Sequence, residues 1–214
     1  MHTTHDRHAG TPVRRLGPEA RNARLAVIAV HGRGASAEDI LSLAQELHLD
    51  DVLYLAPEAA GNTWYPYSFL APIEQNEPDL TSALHKIRGL VGGLEDDGLP
   101  TSRIALMGFS QGACLTLEYA ARHAQRYAAI AGLSGGLIGP VGHPRNYSGS
   151  LGGTPVFLGC SDVDPHIPVA RVHESTQEFR RLEARVDERI YPGMGHTVNL
   201  DELEAVRQLF SPVR

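Results

Sequence analysis

Along the 214 residues, short runs of nearly unbroken apolarity alternate with longer stretches in which apolar residues recur at helical spacing. The run Leu25-Ala26-Val27-Ile28-Ala29-Val30 has no polar alternation, which suits a central parallel strand covered on both faces. Val52–Pro57, Arg103–Phe109, Tyr127–Ser134, Thr154–Cys160 and Glu188–Tyr191 read as further strands. Between them, Ser36-Ala37-Glu38-Asp39 resembles a capping box, and Ile40, Leu41, Leu43, Ala44 and Leu47 follow it at helical spacing. Asp79–Val91 is read as a helix stopped by Gly92-Gly93, and helices are also expected over Ala113–Ala121, Val169–Leu182 and about 200–210. Strand alternating with helix predicts an α/β fold with a mostly parallel sheet and helices on both faces.

Three stretches break this rhythm. Residues 1 to about 21 are polar and rich in Gly, Pro and Arg, and are expected to form a mobile arm with one short edge strand at Val13–Leu16, ahead of a single domain over 22–214. His2, His5 and His8 in that arm are read as solvated side chains and not as metal ligands. Residues 58–78 lack a period but carry the only tryptophan and several other rings, so Trp64, Tyr65 and Phe69 are expected to wall a pocket or form a partial lid. Gly135–Gly153 is read as a glycine-rich surface loop.

Composition excludes more than it proves. A formal charge of −6 argues against nucleic-acid binding, and no apolar run reaches membrane-spanning length. The N-terminal residues lack the apolar core of a signal peptide, so a cytoplasmic protein without stable membrane insertion is expected. Cys114 and Cys160 form no framework and are read as buried small hydrophobes.

The chemistry gathers around Arg103–Gly112, where an apolar strand runs into Gly108-Phe109-Ser110-Gln111-Gly112 and then into a helix. A serine on so sharp a bend is held in the open, and the positions two before and two after it are too crowded for side chains. The Gln111 N–H, at the start of the next helix, is free to meet negative charge. A serine hydroxyl needs a base, and the base a carboxylate to orient it. In open α/β sheets these groups gather at the carboxyl ends of strands.

Of the later carboxylates only Asp162 and Asp164 lie just past such an end, and His196, in Pro192-Gly193-Met194-Gly195-His196, follows the last strand. The constellation is therefore Ser110, His196 and Asp164 or Asp162. Asp164 is favoured because Pro165 and Pro168 stiffen its loop, while Asp162 can cap the turn. His31-Gly32-Arg33-Gly34 should supply a second backbone donor at Arg33, with His31 as a buried prop beneath it. The Arg33 guanidinium is expected to meet solvent or an acidic substrate, and Met194 to border the pocket.

Taken together, Gly-Phe-Ser-Gln-Gly at 108–112, His-Gly-x-Gly at 31–34, Asp-Pro-x-x-Pro at 164–168 and Gly-x-Gly-His at 193–196 resemble the phospholipase/carboxylesterase family of α/β-hydrolases, which includes acyl-protein thioesterases. The resemblance runs from about residue 25 to 210. It implies an α/β-hydrolase fold with a minimal lid, Ser110 as nucleophile, Asp164 as acid, His196 as base, and the backbone amides of Arg33 and Gln111 as an oxyanion hole. It further implies a carboxylesterase-type serine hydrolase that forms an acyl-enzyme, with no cofactor and no metal. Members acting on long acyl chains carry a Leu-Gly-Asp type sequence where this chain has Arg33-Gly34-Ala35-Ser36. Trp64-Tyr65-Pro66 followed by Glu74–Glu77 looks more like a bacterial predicted-esterase branch, so the expected partner is a small-molecule ester. Thioesterase, lysophospholipase or lactone hydrolase chemistry on the same triad stands as the alternative, and a noncatalytic binding protein of the same fold as the alternative from another class. A homodimer stays open.

Overall fold

The unbroken apolar run at Leu25–Val30 becomes the second of seven strands, and its alternate residues feed two separate cores. Ala26, Ile28 and Val30 pack on one face of the sheet and Leu25, Val27 and Ala29 on the other. All six are buried, as a strand covered on both sides demands. A computed structural model describes residues 6–211. Its strands are β1 (Val13–Leu16), β2 (Leu25–Val30), β3 (Val52–Pro57), β4 (Ile104–Phe109), β5 (Ala129–Leu133), β6 (Pro155–Ser161) and β7 (Arg185–Tyr191). They form one sheet in the order β1-β3-β2-β4-β5-β6-β7, parallel throughout except for β1.

Helices cover both faces: α1 (Ala37–Gln45) and α5 (Leu200–Phe210) on one, α2 (Asp79–Asp96), α3 (Gln111–Arg122) and α4 (Val169–Arg181) on the other. This is the α/β-hydrolase fold, with no large lid inserted between its elements. The expected capping box at Ser36 is present, Asp39 N–H donating to Ser36 Oγ at 3.3 Å and Ser36 N–H to Asp39 Oδ2 at 2.8 Å.

Three expectations differ from the structure. Helix α2 does not stop at Gly92-Gly93 but runs to Asp96. Two glycines cost a helix about 2 kcal/mol against alanine, which the burial of Val91 and Leu94 offsets. The stop lies at Gly98, at φ +88°, where Leu99 N–H reaches Leu94 O and Gly98 N–H reaches Glu95 O. That pair of bonds is a Schellman ending, with Leu94 and Leu99 both buried.

Second, the loop that begins at Gly135 is buried as far as Gly139 and not a surface loop there. Its backbone groups find partners in two buried ions. Ile138 N–H donates to Glu118 Oε2 at 3.0 Å, and Arg171 Nη1 donates to the Leu137 and Gly139 carbonyls at 2.7 Å each.

Third, residues 6–12 pack against the domain and do not form a loose arm, while the edge strand expected at Val13–Leu16 is present as β1. β1 pairs with β3, and His8 is buried, its Nε2 donating to Trp64 O at 3.0 Å and its Nδ1 accepting from Ala60 N–H at 3.1 Å. His8 is thus not solvated, and burial lowers its pKa from the ordinary histidine value. His2 and His5 lie outside the described residues.

Candidate active site

The strand order does the first work of assembly. β2 and β4 lie side by side at the sheet's centre, with Val30 opposite Gly108, so the loop after β2 and the turn after β4 emerge together. At that turn Ser110 has φ +55° and ψ −121°, a conformation that L-residues rarely adopt. Ser110 N–H is tied to Leu133 O at 2.9 Å, and Cys114 N–H takes up Ser110 O at 3.0 Å as α3 begins. A Cβ on Gly108 would lie 2.5 Å from the Gly112 carbonyl carbon, and one on Gly112 would lie 2.5 Å from His31 O. Backbone fills both spaces, so only glycine fits at either position.

Ser110 meets His196 across the end of the sheet. His196 Nε2 is 2.8 Å from Ser110 Oγ, and His196 Nδ1 is 2.7 Å from Asp164 Oδ2. The Asp164 side chain is fully buried, and its Oδ1 accepts from His166 N–H at 2.8 Å and Ile167 N–H at 3.0 Å. Burial alone would raise the Asp164 pKa; the His196 bond and the two N–H donors outweigh it and hold the carboxyl below the usual aspartate range. An ionised Asp164 can only accept, so Nδ1 carries the imidazole proton and Nε2 is left to accept from Ser110 O–H.

Asp162 has another task. Its Oδ1 accepts from Gly193 N–H at 2.7 Å, and Ser161 Oγ accepts from Gly195 N–H at 3.0 Å, so the end of β6 holds the loop that carries His196. The expected cap of its own turn is not what Asp162 forms. Asp164 makes the local turn bond, to His166 N–H, and Asp162 reaches across to the neighbouring loop because β6 and β7 end side by side.

Ser110 and His196 open on a cavity of about 280 Å³, which Arg33, Gln111, Tyr65, Ser68, Phe69, Cys114, His166 and Ile167 also line. Gln111 is the first residue of α3, so its N–H has no acceptor one turn back. After β2, Gly34 N–H is taken by Asn62 O and Ala35 N–H by Gly32 O, which leaves the Arg33 N–H as that loop's donor. Arg33 is exposed and borders the cavity, but its guanidinium is not free in solvent. It donates to the carbonyls of Tyr65, Pro66 and Tyr67 at 2.9, 3.0 and 2.7 Å and so clamps the aromatic segment.

Trp64 is fully buried and lies outside the cavity lining. Its Nε1 donates to His31 O at 2.9 Å, and its N–H donates to the Gln111 side chain at 3.0 Å. His31 is the buried prop the sequence suggested, accepting from Ala59 N–H at 3.1 Å. Met194 is likewise absent from the lining, with its sulfur 2.9 Å from Asn199 Nδ2 at the start of α5. Tyr65 and Phe69 do line the cavity.

Sequence reasoning missed Ser68, Cys114, His166 and Ile167. Cys114 was legible, since it stands one helical turn after Ser110. Burial pushes its thiol up to about 12 and the Cys160 thiol to about 12, so both stay neutral. Among the described residues no group of three or more His, Cys, Asp or Glu side chains is set to hold a metal, and no helix is long and apolar enough to cross a membrane.

The family model for Phospholipase/Carboxylesterase matches residues 15–212 of the chain. The chain belongs to that family. Among phospholipase/carboxylesterase structures, one from Dyadobacter fermentans is 44% identical, with a TM-score of 0.90 over 93% of this chain and 95% of that one. A carboxylesterase from Mesorhizobium loti shares the fold at 19% identity, TM-score 0.73, covering 94% of this chain and 95% of its own. Acyl-protein thioesterase 1 of Kluyveromyces lactis is 27% identical over 92% of this chain and 95% of its own length. Membership of the phospholipase/carboxylesterase family makes the protein an enzyme of the serine-hydrolase type.

Proposed function

We propose that the protein hydrolyses small carboxylic esters through an acyl-enzyme on Ser110, with His196 as general base and Asp164 as its orienting acid. The observation that carries this reading is the unbroken relay from Asp164 Oδ2 through His196 to Ser110 Oγ, at 2.7 and 2.8 Å, on the wall of a cavity. His196 Nε2 takes the hydroxyl proton as Oγ attacks the carbonyl carbon, and the negative oxygen is held by the N–H groups of Arg33 and Gln111. One such donor is worth about 3 kcal/mol in the transition state. The proton then passes from Nε2 to the leaving alcohol, and water, activated by the same imidazole, frees the acyl group.

A cavity of about 280 Å³ lies near the lower end of the ~300–1,000 Å³ usual for small-molecule pockets, which fits a small ester. The solved relatives are described as esterases and a phospholipase/carboxylesterase, which supports the same reading. The test is turnover of p-nitrophenyl acetate by wild type and Ser110→Ala. The variant should lose at least about 10⁴-fold in kcat. Hydrolysis undiminished in the purified variant would refute the assignment.

A further inference from the structure

Arg33 borders the catalytic cavity, and its guanidinium is held in place without being neutralised. Nη1 donates to Pro66 O and Nη2 to Tyr65 O and Tyr67 O, and the group lies 6.0 Å from the centre of the Tyr65 ring. Those partners are carbonyls, which fix the fork but carry no charge. Arg24, Arg122, Arg145, Arg171 and Arg181 face carboxylates at 2.7–2.9 Å, whereas among the described residues no carboxylate pairs with Arg33. A guanidinium has five N–H groups, so its three bonds leave Nε–H and one N–H of Nη1 unspent. The rest of the lining supplies no negative charge, for it holds no Asp and no Glu. His166, also in the lining, is exposed and lies edge-on to His196 with ring centres 4.8 Å apart; its ring nitrogens have no hydrogen-bond partner among the described residues.

We infer that the preferred substrates are half-esters of short dicarboxylic acids, with the free carboxylate at the Arg33 guanidinium. Arg33 then determines specificity through its side chain and offers its backbone N–H to the oxyanion. The inference rests on the ester-hydrolase reading above and names its substrate class. Topology puts the carboxylate on the acyl half. The leaving oxygen takes its proton from His196 Nε2 and so must lie beside His196, whose loop follows β7. Arg33 follows β2, on the other side of β4 and Ser110 in the sheet order. A charge on the acyl half therefore reaches the arginine while the alcohol faces the imidazole. A carboxylate there accepts from an unspent N–H and meets a cation that no residue of the lining offsets. An aliphatic acyl group of the same length does neither.

The test compares kcat/KM for monomethyl succinate and dimethyl succinate, which share the succinyl carbons and differ in the charge at the far end. The ratio of the two is followed in wild type, Arg33→Gln and Arg33→Lys, because a loosened carbonyl clamp lowers turnover of both esters alike and cancels. Arg33→Gln should lower the ratio at least about fivefold, and Arg33→Lys, which keeps the charge without the fork, should retain most of it. In wild type the ratio should erode as salt rises from about 0.01 M to about 1 M. A binding readout needs neither turnover nor substitution: succinate, with succinamide as the neutral control, should shift the NMR signal of Arg33 Nε–H. A ratio unmoved in Arg33→Gln or lowered equally in Arg33→Lys, or succinate and succinamide acting alike on that signal, would overturn the inference and leave the ester-hydrolase reading standing. A wild type that cleaves neither ester while succinate alone shifts Nε–H would sink that reading and keep the carboxylate site.

Discussion

Replacing Asp164 by asparagine changes one atom and should stop the reaction without unfolding the protein. In the native site Oδ1 accepts two N–H groups, from the exposed His166 and the less exposed Ile167, while Oδ2 accepts from His196 Nδ1. An asparagine has one oxygen to serve both sides. If its amide turned NH₂ toward the two N–H donors, both would lose their acceptor; the exposed His166 N–H could turn to water, and the Ile167 N–H would lose about 1–3 kcal/mol. The oxygen therefore stays with His166 and Ile167, an advantage of about 1–3 kcal/mol, and the NH₂ faces His196. Nδ1 must then accept, which places the imidazole proton on Nε2, pointing at Ser110 Oγ. A protonated Nε2 cannot take the hydroxyl proton. The same reversal of tautomer in a serine protease costs about 10⁴ in kcat, or roughly 5.5 kcal/mol. The assay is kcat on a short aryl ester alongside urea unfolding of both proteins. The expected pair of results is kcat down by about 10⁴ with stability within about 1 kcal/mol of wild type. A variant keeping more than about a tenth of wild-type kcat would refute the claim that Asp164 sets the tautomer.

Two further predictions concern stability. Gly92 and Gly93 lie inside α2 with open space where a Cβ would stand, so the double change to alanine should raise the unfolding free energy by about 1–2 kcal/mol, read from the urea midpoint; a lowered midpoint would mean that the glycines do more than lengthen a helix. Glu202 is buried in the capping box of α5, its Oε2 accepting from Asn199 N–H at 3.0 Å and its Oε1 without a partner, and burial pushes its pKa up to about 7. With the folded pKa above the unfolded one, stability is full below about pH 4.5 and falls as pH rises to about 7, by about 3 kcal/mol in all, then levels off. Glu202→Gln should flatten that part of the pH profile of the urea midpoint, and parallel profiles for the two proteins would refute it.

The sheet and the candidate site were legible in the sequence for the same reason: both are written in local pattern. A parallel strand covered on both faces must be largely apolar, and β2 through β6 are, with Ser161 the polar end of β6. A serine with glycine two positions to either side, at a strand's end and with a helix following, marks a bend that leaves no room for side chains around an exposed hydroxyl. Placement relative to strand ends then narrowed the later histidines and carboxylates to His196 and Asp162 or Asp164, and the prolines beside Asp164 favoured it. What was illegible depends on partners far along the chain. Nothing local says that Leu94 finds a buried seat and so carries α2 past two glycines, or that Glu118 and Arg171 make burial of Leu137 and Gly139 tolerable. Trp64 looked like a pocket wall because it is large and sits in an aperiodic loop. Its indole N–H instead has a carbonyl to satisfy at His31, and a ring so tied faces inward.

The same tie explains why the backbone donors stay in place without a lid. Trp64 bonds both His31 O, at the root of the Arg33 loop, and the Gln111 side chain, at the root of α3. Gln111 Nε2 returns to Tyr65 O at 2.8 Å, and the Arg33 guanidinium binds the three carbonyls of Tyr65, Pro66 and Tyr67. The two loops that present the candidate anion donors are thus joined through one aromatic segment, each by its own side chain. A polar group in water gains little from such bonds, as at the exposed Arg33, but the three bonds made by Trp64 and Gln111 are buried, where a broken bond leaves a dipole unpaired. Displacing either donor would break several of them together. The segment that the sequence marked as aperiodic therefore fixes the spacing between the Arg33 and Gln111 amides, and that spacing is what a developing oxyanion would have to match.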